Sequence, residues 1–124
     1  MRWQRDYGDF GLKLVKRKKP IACVSCSKIG DDIQIKYLFT LKKYRNFGIE
    51  QYMLKQVIKF GEQNNAKQII AYLGAEPFSE DEQMALEREK ALYESEGFVL
   101  SHMVCGVVPC MKKQLREGEA LCRT

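Results

Sequence analysis

Alternating apolar and polar positions in the first third of the chain predict three antiparallel strands. Two of these strands span residues 10–16 and 21–26, and a very basic turn at residues 16–20 joins them as a hairpin. The third strand spans residues 33–40. Its apolar side chains occupy every second position, the period of a strand with one face in the core: Ile33, Ile35, Tyr37 and Phe39.

The period of the apolar positions changes after Gly48 from two to about three and a half, which predicts an amphipathic helix ending near Asn64. The apolar stripe of this helix consists of Ile49, Met53, Leu54, Val57, Ile58 and Phe60. The wholly apolar run at residues 69–73 then predicts a central strand covered on both faces. Because a helix connects the two strands, we expect this run to lie parallel to the strand at residues 33–40.

The rest of the chain predicts an acidic loop at residues 74–82, a helix at 82–96 that ends before Gly97, and two final strands at 98–105 and 107–115. Residues 117–124 are expected to be frayed. The predicted fold class is therefore α/β, with a mixed, largely antiparallel sheet in the order βββ-α-β-α-ββ. A chain of 124 residues with 45% apolar residues is expected to form one domain over residues 1–124.

A basic, glycine-containing turn connects the third strand to the first helix. This glycine turn comprises residues 44–50: Tyr44, Arg45, Asn46, Phe47, Gly48, Ile49 and Glu50. Backbone N–H groups in the first turn of a helix lack intrahelical partners and lie at the positive end of the helix dipole. Where glycine lets the backbone approach closely, such a turn binds phosphate oxygens, and we interpret it as a pyrophosphate site.

Two motifs resemble the GNAT superfamily of acyl-CoA-dependent N-acetyltransferases. Residues 45–50 are similar to the family signature Arg/Gln-x-x-Gly-x-Gly/Ala, and residues 93–98 are similar to its Tyr-x-x-x-Gly-Phe motif. One helix, one apolar strand and one further helix separate the motifs, as in the family. The resemblance covers about residues 10–116 and implies a splayed central pair of parallel strands.

The resemblance implies a site for acetyl-CoA and transfer of its acetyl group to a primary amine, without a metal. The backbone of Leu38, Phe39 and Thr40 would pair with the pantetheine arm, and the N–H groups of residues 45–50 (Arg45, Asn46, Phe47, Gly48, Ile49 and Glu50) would hold the pyrophosphate. Tyr93 corresponds to a tyrosine that protonates the departing thiolate in many relatives. The alternative for Tyr93 is a ring that only packs in the core.

Acidic residues crowd the loop and helix start around residues 76–89, with Arg88 as the only opposing charge. They form either a solvated surface or an attractive entrance for a cationic amine. In the second case Glu76, which lies nearest to the strand end, is the candidate general base.

Three departures from the family pattern leave an alternative open. Glu50 stands where the signature has Gly or Ala, and Leu86 stands where relatives often have Asn. The family also has a strand and two helices before its first hairpin, which here begins about ten residues into the chain. The alternative is a non-catalytic acyl-CoA-binding relative. Because the segment before the first hairpin is short, we also predict a homodimer. In it, the second copy or its final strands would cover the side of the domain that is left open.

Charge is distributed unevenly along the chain. Residues 1–48 carry 12 Lys/Arg and 4 Asp/Glu, while residues 49–124 carry 9 and 12. The excess of positive charge in residues 1–48 suits a polyanionic small ligand or, as a less favoured alternative, nucleic acid. The basic turn at residues 16–19 is either solvated or in contact with RNA or the adenosine 3′-phosphate.

The cysteines and the hydropathy bear on the location of the protein. The five cysteines are an odd number without a signal peptide, so we expect reduced thiols; Cys23 and Cys26 form a lone pair without a second metal-ligand pair. We expect no membrane span and a cytosolic location.

Overall fold

The computed structural model describes residues 1–6, 8–74 and 82–115 of the chain. Glu76, which the sequence nominates as a base, lies outside the described residues, and so does the segment expected to be frayed. The elements occur in this order: β1 (Arg2–Arg5), β2 (Phe10–Lys16), β3 (Lys19–Ile29), β4 (Asp32–Thr40), a 3-10 turn (Lys42–Tyr44), α1 (Ile49–Gln63), β5 (Gln68–Tyr72), α2 (Glu82–Ser95), β6 (Val99–Val104) and β7 (Val108–Gln114).

The described strands form one seven-stranded sheet in the order β1-β2-β3-β4-β5-β7-β6. Strands β4 and β5 pair in parallel, whereas the other neighbours in this sheet pair antiparallel. The predicted fold class, with its order of strands and helices from β2 onward, is confirmed.

Strand β1 is the element that the sequence analysis missed. Its four residues pair antiparallel with β2, and Trp3 packs against Tyr52 of α1 with ring centroids 5.0 Å apart. Only residues 6–9 separate β1 from β2. The expectation that no strand precedes the hairpin of β2 and β3 is therefore wrong. The connection between β1 and β2 is, however, too short to contain the two helices that the family usually has there.

Helix α1 packs its apolar stripe against the sheet, as the helical spacing of its side chains requires. Met53, Leu54 and Val57 are fully buried, and Phe60 stacks on Phe10 of β2 with ring centroids 5.1 Å apart. At Gly61 a Cβ atom would lie 2.8 Å from Leu115 Cδ1, so glycine allows the helix to approach the sheet closely. This packing fixes the start of α1 beside the end of β4.

Strands β4 and β5 separate halfway along β4. Their parallel pairing ends at Ile35 and Ala71, yet β4 continues to Thr40. Two features direct the strands apart. The register with β3 shifts so that Lys36 is an extra residue, a β-bulge that bends β4. On the other side, the Leu73 N–H donates to the Pro109 carbonyl, 3.0 Å away, so the chain after β5 follows β7. The gap lies next to the glycine turn.

Candidate functional site

The glycine turn leaves the first amides of α1 without a side-chain cap. Gly48 is the N-cap residue of the helix, and it has a left-handed conformation with φ of 79°. An L-residue with a side chain rarely adopts this conformation, whereas glycine does so readily. No side chain forms a capping hydrogen bond at this helix start. Asn46, two residues earlier, also has a positive φ of 70°.

The space in front of Gly48 is open. A Cβ atom added there would meet no described atom within 4 Å, and Phe47 is 74% exposed. Backbone turns with alternating hand form concave groups of N–H donors that bind anions. The turn therefore has both the donors and the access that a phosphate group needs.

The end of β4 is tied to the glycine turn by a side chain. Arg45 Nε donates a hydrogen bond to the Thr40 carbonyl oxygen at 3.1 Å. Thr40 is completely buried, and its hydroxyl oxygen has no hydrogen-bond partner among the described residues. A buried hydroxyl of this kind costs free energy unless a ligand or water satisfies it. Leu38 and Phe39, which precede it, are half-buried.

The Glu50 carboxylate forms an ion pair with Arg88 of α2 and is therefore turned towards the protein. Arg88 Nη1 lies 3.4 Å from both carboxylate oxygens, and the side chains of Arg88 and Glu50 are only 26% and 12% exposed. A second ion pair at 2.8 Å joins Lys55 of α1 to Glu96, directly after α2. The two pairs fix α1 and α2 side by side.

Tyr93 lies in the last turn of α2 and is 4% exposed, with its ring edge against Phe98 at a centroid distance of 5.1 Å. Burial raises the pKa of the Tyr93 phenol far above its usual value, and the carboxylates of Glu89 and Glu50 raise it further. The phenol is therefore a neutral donor at every physiological pH. Arg88, on the same helix as Tyr93, contacts Glu50 and so brings the glycine turn close to the second motif.

Glu89 is the described carboxylate that acts most strongly on Tyr93. It also accepts a hydrogen bond at 3.4 Å from the N–H of Gly74, where the chain leaves β5. The sequence analysis placed Glu89 only within a general acidic group, because nothing in its local pattern shows that it faces the strand end. Among the described residues, no group of three His, Cys, Asp or Glu side chains is arranged to bind a metal ion.

Comparison with known families agrees with this geometry. The profile of the Acetyltransferase (GNAT) family matches residues 2–98. The chain belongs to the GNAT acetyltransferase family. No protein with curated annotation shows significant sequence similarity to it. The described helices include none that is long and apolar enough to cross a membrane.

Solved structures of acetyltransferases share the fold. The PaiA N-acetyltransferase of Thermoplasma acidophilum in complex with coenzyme A has a TM-score of 0.69 and 14% identity over 85% of this chain. The GNAT acetyltransferase of Elizabethkingia anophelis with acetyl-CoA bound has a TM-score of 0.65 and 16% identity over 86%. The ribosomal-protein-S18-alanine N-acetyltransferase of Escherichia coli has a TM-score of 0.64 and 16% identity over 85%.

The chain is shorter than these proteins. It spans 60% of the PaiA chain, 76% of the Elizabethkingia chain and 68% of the Escherichia chain. At such low identity the similarity concerns the fold alone.

Proposed function

We propose that this GNAT protein is an acetyl-CoA-dependent N-acetyltransferase that transfers the acetyl group to a primary amine by direct attack on the thioester. The observation that carries the proposal is the gap between β4 and β5, which opens beside the uncapped first turn of α1. A long ligand with a diphosphate group matches such a gap and turn. Two of the structures with the same fold contain coenzyme A or acetyl-CoA.

The proposed binding mode uses mainly the backbone. The N–H groups of residues 46–50 hold the diphosphate, since the Arg45 N–H already donates to the Lys42 carbonyl at 3.2 Å. The unpaired edge of β4 at residues 38–40 binds the pantetheine amides. The buried hydroxyl of Thr40, which has no partner among the described residues, supports a ligand at this edge. The ion pair with Arg88 supports the same mode, because it neutralises much of the charge that Glu50 brings close to the phosphates.

The proposed reaction needs little acid-base chemistry. A neutral amine attacks the thioester carbonyl carbon, the C–S bond breaks, and the acetyl group becomes an amide. The departing thiolate takes a proton from the Tyr93 phenol, and the attacking nitrogen loses its extra proton to a base or to water. The raised pKa keeps the Tyr93 phenol protonated, so that it can act as a hydrogen-bond donor to the departing sulfur. We retain Glu76 as the proposed base.

The alternative function is binding of acyl-CoA without transfer. It is favoured by the four-residue connection between β1 and β2. This connection has no room for the two helices that the family usually has before its first hairpin. Glu50 and Leu86, which replace the residues usual in the family, also favour it. This alternative retains the CoA site and lacks only a productive place for the amine.

Release of free CoA thiol across a panel of primary amines tests the proposal, with calorimetry of CoA binding in parallel. We expect thiol release with at least one amine. Tyr93→Phe should reduce kcat by about 100-fold or more, the range for loss of a general acid, with little change in the Kd of CoA. Tight CoA binding without thiol release for any amine would favour the non-catalytic alternative, and equal turnover of Tyr93→Phe would remove the role of Tyr93.

We further propose that residues 1–124 form one domain, that the protein resides in the cytosol and that it forms a homodimer. The described cysteines Cys23, Cys26, Cys105 and Cys110 are free thiols, which suits a reducing compartment. Cys105 is exposed and Cys23 is half-buried, so only Cys26 and Cys110 are core thiols. Subcellular fractionation followed by immunodetection of the protein in each fraction tests the location.

A further inference from the structure

A second basic site lies beside the glycine turn. A pocket of about 270 Å³ separates the turn between β2 and β3 from the 3-10 turn. We call it the basic pocket, and it is lined by Lys16, Arg17, Lys19, Ile21, Leu41, Lys43 and Tyr44. Four of these side chains are cationic. Of the described residues that line the pocket, none carries a carboxylate, so its potential is strongly positive.

Tyr44 gathers two ammonium groups in this pocket. Nζ of Lys16 and Nζ of Lys43 each lie 5.5 Å from the centroid of the Tyr44 ring. Nζ of Lys16 also donates a long hydrogen bond to the Tyr44 hydroxyl at 3.4 Å. Two cations held at one ring repel each other, and an anion placed between them offsets this repulsion. Tyr44 therefore arranges the lysines in advance for an anion.

The turn between β2 and β3 has an unusual composition for its conformation. Its two central residues, Arg17 and Lys18, have positive φ values of 52° and 66°. A two-residue hairpin turn of this type strongly favours Asn-Gly, because residues with longer side chains adopt positive φ with difficulty. The chain has cations instead at both positions. Such a conflict between local preference and observed residue is typical of a functional position.

The acidic residues of this half of the protein lie at the opposite end of the strands. Asp31 and Asp32 are at the turn between β3 and β4, and Asp6 and Asp9 lie between β1 and β2. In the register of β2 with β3, Lys16 faces Lys19 at one end, whereas Phe10 faces Cys26 at the other. The basic pocket is therefore not neutralised by the acids that are close to it in sequence.

We propose that the basic pocket is a second anion site, which binds a phosphate monoester next to the diphosphate bound by the glycine turn. A terminal phosphate has three acceptor oxygens and up to two charges, which matches several converging ammonium and guanidinium donors. Lys43 and Tyr44 immediately precede Arg45, so the two anions would be neighbours. The inference rests on the proposed function insofar as CoA carries a 3′-phosphate; a phosphorylated acceptor is the other source of the same chemistry.

Calorimetry with CoA and 3′-dephospho-CoA tests the first source. The wild-type protein should bind CoA about tenfold or more tightly than 3′-dephospho-CoA, the gain expected of a charge-assisted contact. The double variant Lys16→Ala/Lys43→Ala should bind both ligands with the weaker affinity. Lys28→Ala, which removes an exposed lysine at the far end of β3, is the matched control and should retain the full preference.

NMR titration tests the second source on the wild-type protein and the same variants. The probes are O-phosphoethanolamine and ethanolamine, and the signal is the backbone amide of Tyr44. The proposal is supported if O-phosphoethanolamine, but not ethanolamine, causes saturable shifts of this signal and if these shifts are lost in Lys16→Ala/Lys43→Ala. This result would support the site even if CoA and 3′-dephospho-CoA bind equally. An absence of CoA binding would refute the proposed function. The titration would still show whether the basic pocket binds a phosphate monoester.

A turn variant separates binding from folding. Arg17→Asn/Lys18→Gly gives the turn its preferred residues, so its Tm should rise while the preference for a phosphate monoester falls. Equal affinity for CoA and 3′-dephospho-CoA together with no shift from O-phosphoethanolamine would overturn the proposal. It would also be overturned by a short RNA that binds with steep salt dependence and is not displaced by a phosphate monoester.

Discussion

The guanidinium of Arg88 lies 3.4 Å from the carboxylate of Glu50, across the boundary between α2 and the first turn of α1. The pair explains how a carboxylate is accommodated where the family has a residue without charge. It also couples the glycine turn to the helix that carries Tyr93. Both side chains are mostly buried, so the loss of one partner leaves the other charge poorly solvated.

The first prediction concerns this ion pair and the affinity for CoA. Glu50→Ala restores the family residue and should strengthen CoA binding about fivefold, since a like charge near a phosphate costs about 1 kcal/mol. Arg88→Ala should weaken CoA binding and lower the free energy of unfolding by about 1–3 kcal/mol, because the Glu50 carboxylate is left without its partner. Calorimetry and urea unfolding measure the two effects.

The double variant Glu50→Ala/Arg88→Ala completes a thermodynamic cycle. We expect it to regain most of the stability lost in Arg88→Ala, because no buried charge then lacks a partner. Lys55→Ala, which breaks the more exposed pair with Glu96, is the control and should change CoA affinity little. Strictly additive effects of Glu50→Ala and Arg88→Ala would contradict the coupling.

The second prediction concerns stability at alkaline pH. Burial, together with the nearby carboxylate of Asp9, raises the pKa of the Cys26 thiol to about 12. The folded protein therefore retains the thiol proton at a pH where the unfolded chain has already lost it. Because the unfolded state then binds fewer protons, the free energy of unfolding falls as the pH rises from about 9 towards 12.

Substitution of Cys26 by valine, which has a similar volume, isolates this effect. In Cys26→Val, urea unfolding between pH 9 and 12 should show a shallower loss of stability than in the wild type, by at most about 1.4 kcal/mol per pH unit. Tyr93→Phe should act in the same direction above about pH 10, because burial raises the Tyr93 pKa as well. An unchanged pH dependence in Cys26→Val would show that its thiol does not titrate as described.

The third prediction is a homodimer formed through β6. Among the described strands, β6 lies at the edge of the sheet, and its side chains Val99, Leu100 and Met103 are 63%, 46% and 45% exposed. Residues 98–111 contain no Asp, Glu, Lys or Arg. An edge strand without charges readily pairs with another strand. The predicted pairing is with β6 of a second copy.

Light scattering at micromolar concentration should give the mass of a dimer for the wild type. Leu100→Lys should shift the protein to a monomer, since a lysine on an edge strand opposes pairing. Met84→Lys replaces another exposed apolar residue, on α2, and should remain a dimer. A monomeric wild type would refute the prediction.

The sequence predicted the strands and helices whose periodicity is long and regular. Ile33 and Ile35 of β4 and the stripe around Met53 in α1 are buried as their spacing indicates. The separation of β4 and β5 followed only from the resemblance, because the bulge at Lys36 has no local signal in the sequence. Strand β1 was missed because it is four residues long and mostly polar, with no alternation to count.

The pairing of Glu50 with Arg88 could not be predicted for a different reason. The two residues are 38 positions apart, and the contact depends on how α1 and α2 pack. The sequence analysis therefore treated Glu50 as an unpaired charge in a phosphate site and Arg88 as a lone cation in an acidic segment. Both interpretations change once the helices are adjacent.

The most direct test of the account compares acetyl-CoA binding by Gly48→Ala and Gly30→Ala in calorimetry. Both glycines have positive φ, 79° and 61°, and a Cβ at either position meets no described atom within 4 Å. Both variants should lose about 1–2 kcal/mol of stability, since a side chain is unfavourable in this conformation. Only Gly48→Ala should also lose acetyl-CoA affinity, by about tenfold or more, because its Cβ disturbs the amides that hold the diphosphate. Equal affinity of the two variants would contradict the assignment of the glycine turn as the diphosphate site.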